Sequence, residues 1–301
     1  MAKTIRKNQS ISSKLVIVIS VVLMIILLFL LMQKINLVKQ DSEILHQQNI
    51  ALDLLNDEKQ TLTTEKERYD KIQIDLDQIK IQYFIDAQKL EQMIINKETT
   101  AKIAYLTFDD GPYLLTTKFL DVLDEYDVLA TFFTLGKSLE LYESTYWRII
   151  DSGHTLANHT YSHDLSKNGI YSSETKFIND LLKHEEFLKT NFNITTNVMR
   201  FPGGSAMTKR FSSSFKDKIK ELGYGYIDWN ISCGDGTSPV KPPEVYRDNV
   251  LNSVYDKKII CVLMHDYSKN TLLALPEIIT GLEAKGYIFL PLFYESTMIK
   301  K

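Results

Sequence analysis

Glycine and proline are missing from the first third of this chain. All 12 glycines and 7 prolines lie at or beyond Gly111 and Pro112. Their absence excludes a turn-rich globular domain in that third and leaves a helix free to run uninterrupted. Cysteine is nearly absent as well. Cys233 and Cys261 are the only two, too few for a disulfide framework and not a zinc-finger pair. They read as buried thiols, a single disulfide being the other arrangement. A cationic surplus is also missing: 35 Lys and Arg face 38 Asp and Glu. That balance excludes the basic character of a nucleic-acid binder, so no nucleic-acid partner is expected. No internal repeat and no low-complexity tract occurs.

What is present divides into regions. Residues 1–14 hold Lys3, Arg6, Lys7 and Lys14 and no acid. Residues 15–32, LVIVISVVLMIILLFLLM, are apolar except for Ser20. As a helix this run spans roughly 27 Å, the thickness of a bilayer core. A buried core helix would carry a polar face, and a cleaved signal would end in a small-residue site. Neither feature is found. The expectation is an uncleaved membrane anchor, with the basic tail cytoplasmic and everything after residue 32 outside. Residues 33–98 carry a heptad pattern. With 41 as an a position, eleven of the sixteen a and d sites from 41 to 93 are apolar, counting Ala and Tyr; Glu58, Glu65 and Asp86 break the seam. This predicts a coiled-coil spacer of roughly 100 Å if fully helical. A homodimer through 33–98 is one expectation, a single solvated helix the other.

From residue 99 the texture changes. Short β-rich runs at 103–108, 130–135, 154–158, 197–201, 224–231, 259–264 and 287–290 alternate with helical patterns at 115–126, 138–152, 173–190, 207–222, 242–256 and 271–285. Seven strands alternating with six helices predict an α/β domain over 99–301 with a parallel sheet. A closed or partly closed barrel suits the count. In such folds the working residues sit at the carboxyl ends of strands. The first run ends in Asp109-Asp110, the third in NHTYSH, the fourth in RFPGGS with Arg200, and the sixth in VLMHD with His265. The fifth passes through DWNISCGD to Asp235. Most of the strands thus finish in an ionisable group. His159 and His163 are four apart, which on a helical turn would aim both rings one way. With a carboxylate from another strand they form a plausible two-His, one-carboxylate metal site with positions open for water and substrate. His46, His154 and His184 read as ordinary.

LTFDDGP, HTYSH, RFPGGS, the Asp235 segment and VLMHD stand in the order of the motifs of the polysaccharide deacetylases, carbohydrate esterase family four with the NodB-homology fold. The sequence resembles that family over about 101–295. The resemblance implies a distorted (β/α)7-type barrel, a divalent metal, usually zinc, and hydrolysis of N-acetyl groups from sugars. Carried over, it makes Asp110, His159 and His163 the metal ligands, Asp109 the general base and His265 the general acid. Arg200 would orient Asp109, and Asp235 would tune His265. Gly203 would offer its backbone N–H to the oxyanion, where the family often has Tyr. Gly236 stands where the family often has Trp, and Trp229 lies nearby. Trp229 and Leu263 of VLMHD are the other candidates for contact with substrate. The membrane tether points to N-acetylglucosamine in peptidoglycan. N-acetylmuramic acid, an exported poly-N-acetylglucosamine or an O-acetyl ester are the alternative substrates. A non-catalytic glycan-binding module on a coiled coil is the alternative of a different class.

Overall fold

A computed structural model describes residues 2–293, 296, 299 and 300. The side chains of residues 2–18, 76, 77 and 80 lie outside the described set. With them go the basic tail, the start of the apolar run and Leu76 of the heptad seam. The chain divides into two compact units, Met1–Ile79 and Lys80–Lys301.

The first unit is a single helix, part of α1 (Ala2–Ile95). It is long and apolar enough to cross a membrane by length and composition. Beyond residue 32 its heptad side chains, among them Leu55, Leu62 and Ile72, are exposed. An isolated helix of this composition owes little to intrinsic propensity and needs its apolar stripe covered to be stable.

The second unit begins inside α1. The expected spacer runs to residue 98, but the last turns of the helix pack into the second unit. Ala87, Glu91 and Ile94 are buried, with Phe84 and Leu90 partly so. That stripe lies one residue off the heptad seam, which would have turned Tyr83, Asp86, Leu90 and Met93 inward. The buried Glu91 accepts hydrogen bonds from Tyr105 Oη (3.0 Å) and Ser296 Oγ (2.6 Å). A carboxylate at an apolar interface needs such partners.

Eight parallel strands follow: β1 (Lys102–Asp109), β2 (Thr131–Thr134), β3 (Thr155–Asn158), β4 (Val198–Met199), β5 (Gly225–Tyr226), β6 (Ile231–Ser232), β7 (Ile259–His265) and β8 (Tyr287–Phe289). Their order is β5-β4-β3-β2-β1-β7-β6, with β8 beside the first residues of β1. The sheet is a curled, open half-barrel rather than a closed ring. The expected strand 224–231 is the reason for the extra count. Its two ends pair with β4 and with β7, on opposite edges of the sheet.

Helices α2 (Thr116–Glu125), α3 (Leu139–Asp151), α4 (Glu174–Phe192), α5 (Phe215–Glu221), α6 (Pro243–Leu251) and α7 (Lys269–Ala284) connect the strands. Along β1 the faces alternate, as a pleated strand requires. Ala104, Leu106 and Phe108 meet the helices through Phe119, Leu120 and Ile278. Ile103 and Tyr105 meet the end of α1, Phe133 and Cys261. Burial on both faces explains why β1 and β7 read as nearly continuous apolar runs.

Candidate active site

The inward face of β1 continues from Tyr105 through Thr107 to Asp109, at the carboxyl end of the strand. Its neighbours in register there are Phe133 on β2 and His265 on β7. Parallel pairing alone therefore sets Asp109 beside His265. Asp110 then leaves the strand with φ 73°, a left-handed conformation that costs a non-glycine residue free energy and marks functional turns. Gly111 follows because nothing larger fits: a Cβ there would come within 2.3 Å of Asp266 Oδ2.

His159 and His163 do not share a helical turn. They sit in the loop after β3, which reverses through left-handed Thr160 (φ 69°) and His163 (φ 52°). Side chains hold that loop. Asn158 Oδ1 accepts from Thr160 N at 2.9 Å and lies 3.1 Å from His184 Nδ1. Asp180 Oδ2 accepts from Tyr161 N and Ser162 N, each at 2.9 Å. The two imidazole centroids end 5.1 Å apart.

Both histidines aim Nε2 at one oxygen. Asp110 Oδ1 is 3.5 Å from His159 Nε2 and 3.3 Å from His163 Nε2. This oxygen is buried and has no hydrogen-bond partner. His159 Nδ1 lies 2.8 Å from the Arg200 carbonyl, which can only accept, so Nδ1 carries the hydrogen and Nε2 keeps its lone pair. Burial pushes the His159 pKa down to about 3, which keeps the ring neutral. One carboxylate oxygen and two imidazole nitrogens within 4.8 Å of one another, one of them an orphaned buried acceptor, fit a divalent cation.

Arg200, fully buried, stands behind Asp109. Its Nη1 donates to Asp109 Oδ1 (2.7 Å) and Thr107 Oγ1 (2.8 Å). Nη2 donates to the Asp228 carbonyl and Cys261 Sγ, each at 3.0 Å, and Nε to the Ile227 carbonyl at 3.1 Å. Burial lifts the Asp109 carboxyl above the ordinary carboxylate range, and Arg200 opposes that lift. The net direction makes Asp109 a stronger base than a surface aspartate. Its free oxygen, Oδ2, faces the triad, 3.7 Å from His159 Nε2.

His265 is the opposite case. Burial works against its imidazolium, but Asp235 outweighs burial and lifts the pKa to about 9. Asp235 Oδ1 lies 2.7 Å from His265 Nδ1, and Oδ2 accepts from the His265 backbone N–H and from Thr271 Oγ1, each at 2.8 Å. That leaves Nε2 facing the pocket, 3.9 Å from Asp110 Oδ2.

Seven predicted residues thus converge: Asp109, Asp110, His159, His163, Arg200, Asp235 and His265. The other three line the surroundings. Gly203 takes φ 75° just before the turn Ser205–Arg210. Trp229 packs near the Arg200 guanidinium, 5.8 Å from ring centroid to Cζ, and against Gly204. Leu263 continues the inward face of β7 between Cys261 and His265 and is nearly buried. Sequence reading missed Thr107, Asn158, Cys261 and Thr271, whose roles depend on partners distant in the chain. It also passed over His184, which is buried behind the histidine loop. Only Asn158 and Thr107 carried a signal, since they flank the histidine and aspartate motifs.

The polysaccharide deacetylase family profile matches residues 96–227. A peptidoglycan-N-acetylglucosamine deacetylase of Bacillus cereus is 29% identical over 192 residues, covering 62% of this chain and 68% of that protein. The putative polysaccharide deacetylase YheN of Bacillus subtilis is 32% identical over 202 residues, covering 66% and 69%. Among solved structures, the catalytic domain of peptidoglycan N-acetylglucosamine deacetylase from Eubacterium rectale is 35% identical with a TM-score of 0.60, covering 66% of this chain and 91% of that domain. With identity at this level extending over most of those relatives, this chain belongs to the polysaccharide deacetylase family, hydrolases of carbon–nitrogen bonds.

Proposed function

We propose that this chain removes acetyl groups from N-acetylglucosamine of peptidoglycan, with a divalent cation, most simply zinc, held by Asp110, His159 and His163. The observation that carries this reading is the convergence of a strengthened base, a protonated acid and a cation-fitting triad at the ends of β1, β3 and β7. The substrate class follows the peptidoglycan-N-acetylglucosamine deacetylases among the relatives. When bound, the cation supplies Lewis acidity that polarises the acetyl carbonyl and acidifies water.

The residues of the chain do the rest. Arg200 fixes one oxygen of Asp109, so Oδ2 is left to take the proton of the attacking water. The water oxygen bonds to the acetyl carbon, and the Gly203 backbone N–H would donate to the oxyanion. His265 Nε2–H then gives its proton to the departing amine as the carbon–nitrogen bond breaks. Acetate and a free amine result. Asp235 keeps His265 protonated until that step.

The N-terminal part supplies location. Residues 1–14 form a cytoplasmic tail and 15–32 span the membrane. Residues 33–79 form an extracytoplasmic spacer of roughly 70 Å as a helix, paired with a second copy along the exposed heptad seam. A spacer of that length suits a polymer that begins outside the membrane. The test is acetate release from N-acetylglucosamine oligomers by detergent-solubilised full chain, before and after chelation and after return of zinc. Release that stops with chelator and returns with zinc supports the reading. A protein with bound metal that releases no acetate from any oligomer overturns it in favour of a binding module.

A further inference from the structure

His265 has a neighbour that the reaction above does not use. The ring of Tyr267 lies against its imidazole, with centroids 5.1 Å apart and planes tilted by 33°. Tyr267 is 39% exposed, so much of its ring is open to solvent. Tyr113, in the loop after Asp109-Asp110, meets Tyr267 edge-on at 5.3 Å and 78°. Lys137 Nζ sits 4.2 Å from the Tyr113 centroid. Beside Tyr113, Leu114 is 80% exposed. The loops after β1 and β7 therefore build an apolar, aromatic rim at the side of His265. On another flank of that imidazole the chain is bare: Gly236 has no side chain, and a Cβ there would come 2.8 Å from His265 Cε1.

An exposed aromatic held at the mouth of a polar site calls for an occupant. Water is a poor one for a ring face. A pyranose is a good one, because it presents a layer of C–H bonds to the ring and its hydroxyls to solvent. Tyr suits this use: it offers a large flat apolar area at little conformational cost and a polar tip that stays wet. Position chooses which sugar. His265 protonates the departing amine, so a group on its flank lies beside the amine-bearing side of the scissile bond rather than beside the acetyl group. We infer that Tyr267, buttressed edge-on by Tyr113 under Lys137, is a substrate-binding residue that stacks on the glycan chain on the amine side of the reaction centre. This rests on the glycan deacetylase reading above and deepens it.

The test compares two substrates on the full chain in detergent. One is an N-acetylglucosamine tetrasaccharide. The other is 4-nitrophenyl acetate, which has an acetyl group but no sugar and a leaving group that needs no acid. Tyr267→Ala should raise KM for the tetrasaccharide by up to about twelvefold, the worth of one aromatic contact, with kcat within about twofold. Its ester hydrolysis should match wild type, which also reports that the variant is folded. Tyr267→Phe should keep the wild-type KM, because the ring and not the hydroxyl stacks. An unchanged KM in Tyr267→Ala overturns the stacking and leaves the deacetylase reading intact. Equal loss on both substrates, or a loss confined to kcat with a moved pH profile, assigns Tyr267 to supporting His265 and overturns it too. A wild-type protein that cleaves the ester but no oligosaccharide overturns the glycan reading, and the stacking with it.

Discussion

Residues 33–79 and residues 84–95 belong to one unbroken helix and carry the same kind of apolar stripe, yet they meet different surroundings. In the first stretch Leu55, Leu62 and Ile72 stand exposed, as do Glu58 and Glu65 between them. In the second, Ala87 and Ile94 are buried, and an acid on the same stripe, Glu91, is 1% exposed and bonded to Tyr105 and Ser296. Helical periodicity declares that a face has a partner. It does not declare whether that partner is a second helix or a sheet. The acids discriminate: a carboxylate on a solvated seam needs nothing, whereas one inside needs donors aimed at it.

The largest effect comes from cutting between these stretches. A chain beginning at residue 99 loses the turns that cover Ile103, Tyr105 and Cys261. That loss is on the order of 5–10 kcal/mol, comparable to the whole stability of a domain. A chain beginning at Lys80 keeps them. Circular dichroism melts should show a cooperative transition for the longer version and none, or a molten one, for the shorter. Equal melting of both would mean that the end of α1 is as dispensable as the exposed spacer.

Next come the adjacent aspartates, which confine the chemistry to the second unit. Asp109→Asn should lower turnover by roughly 10²–10⁴, the usual worth of a positioned base, while bound metal stays at the wild-type level. Asp110→Asn should lose metal and regain part of its activity as zinc is added. Metal analysis beside acetate release over a zinc titration checks both. Rescue of Asp109→Asn by zinc would reverse the two assignments.

The pH profile gives a smaller but directional effect. The imidazolium of His265 is the proposed acid. With its pKa lifted to about 9, the acid form is present below that pH and lost as pH rises through it. Asp235 is what lifts it, so Asp235→Asn should move the alkaline limb of kcat to lower pH. A bound cation lowers the limb in both proteins and leaves the direction of the difference unchanged. An unmoved limb would remove His265 from the role of acid.

The smallest effect is expected in the spacer. Leu55→Gln with Leu62→Gln should leave kcat on soluble oligomers unaltered and the barrel melting within about 0.5 kcal/mol of wild type, as for surface changes elsewhere. Chemical cross-linking of the full chain in membranes should fall, because these side chains belong to the proposed pairing seam. Undiminished cross-linking would assign 33–79 to a single solvated helix.

Much of the barrel was legible because its strands and helices differ in period, and both strand faces are buried. The run 224–231 was not, since an apolar stretch of that length does not reveal that its ends pair on opposite edges. The motif residues were legible because most of the strand ends deliver an ionisable group. The shape of the histidine loop was not. Spacing of four fits a helical turn, and the left-handed Thr160 that helps replace it is disfavoured for a β-branched residue. Partners such as Cys261 for Arg200, 61 positions apart, are set by strand order alone.

Arg200 spends all five of its N–H donors: on Asp109, on Thr107 and Cys261 of two central strands, and on the carbonyls of Ile227 and Asp228. This bears on how such a chain decays in descent. His163 can drift once activity is no longer selected, and the barrel will still stand. Arg200 cannot, because its loss would strand two carbonyls and a buried carboxylate inside the sheet. Inactive descendants of this chain should therefore keep the Arg200–Asp109 pair long after they have lost His163.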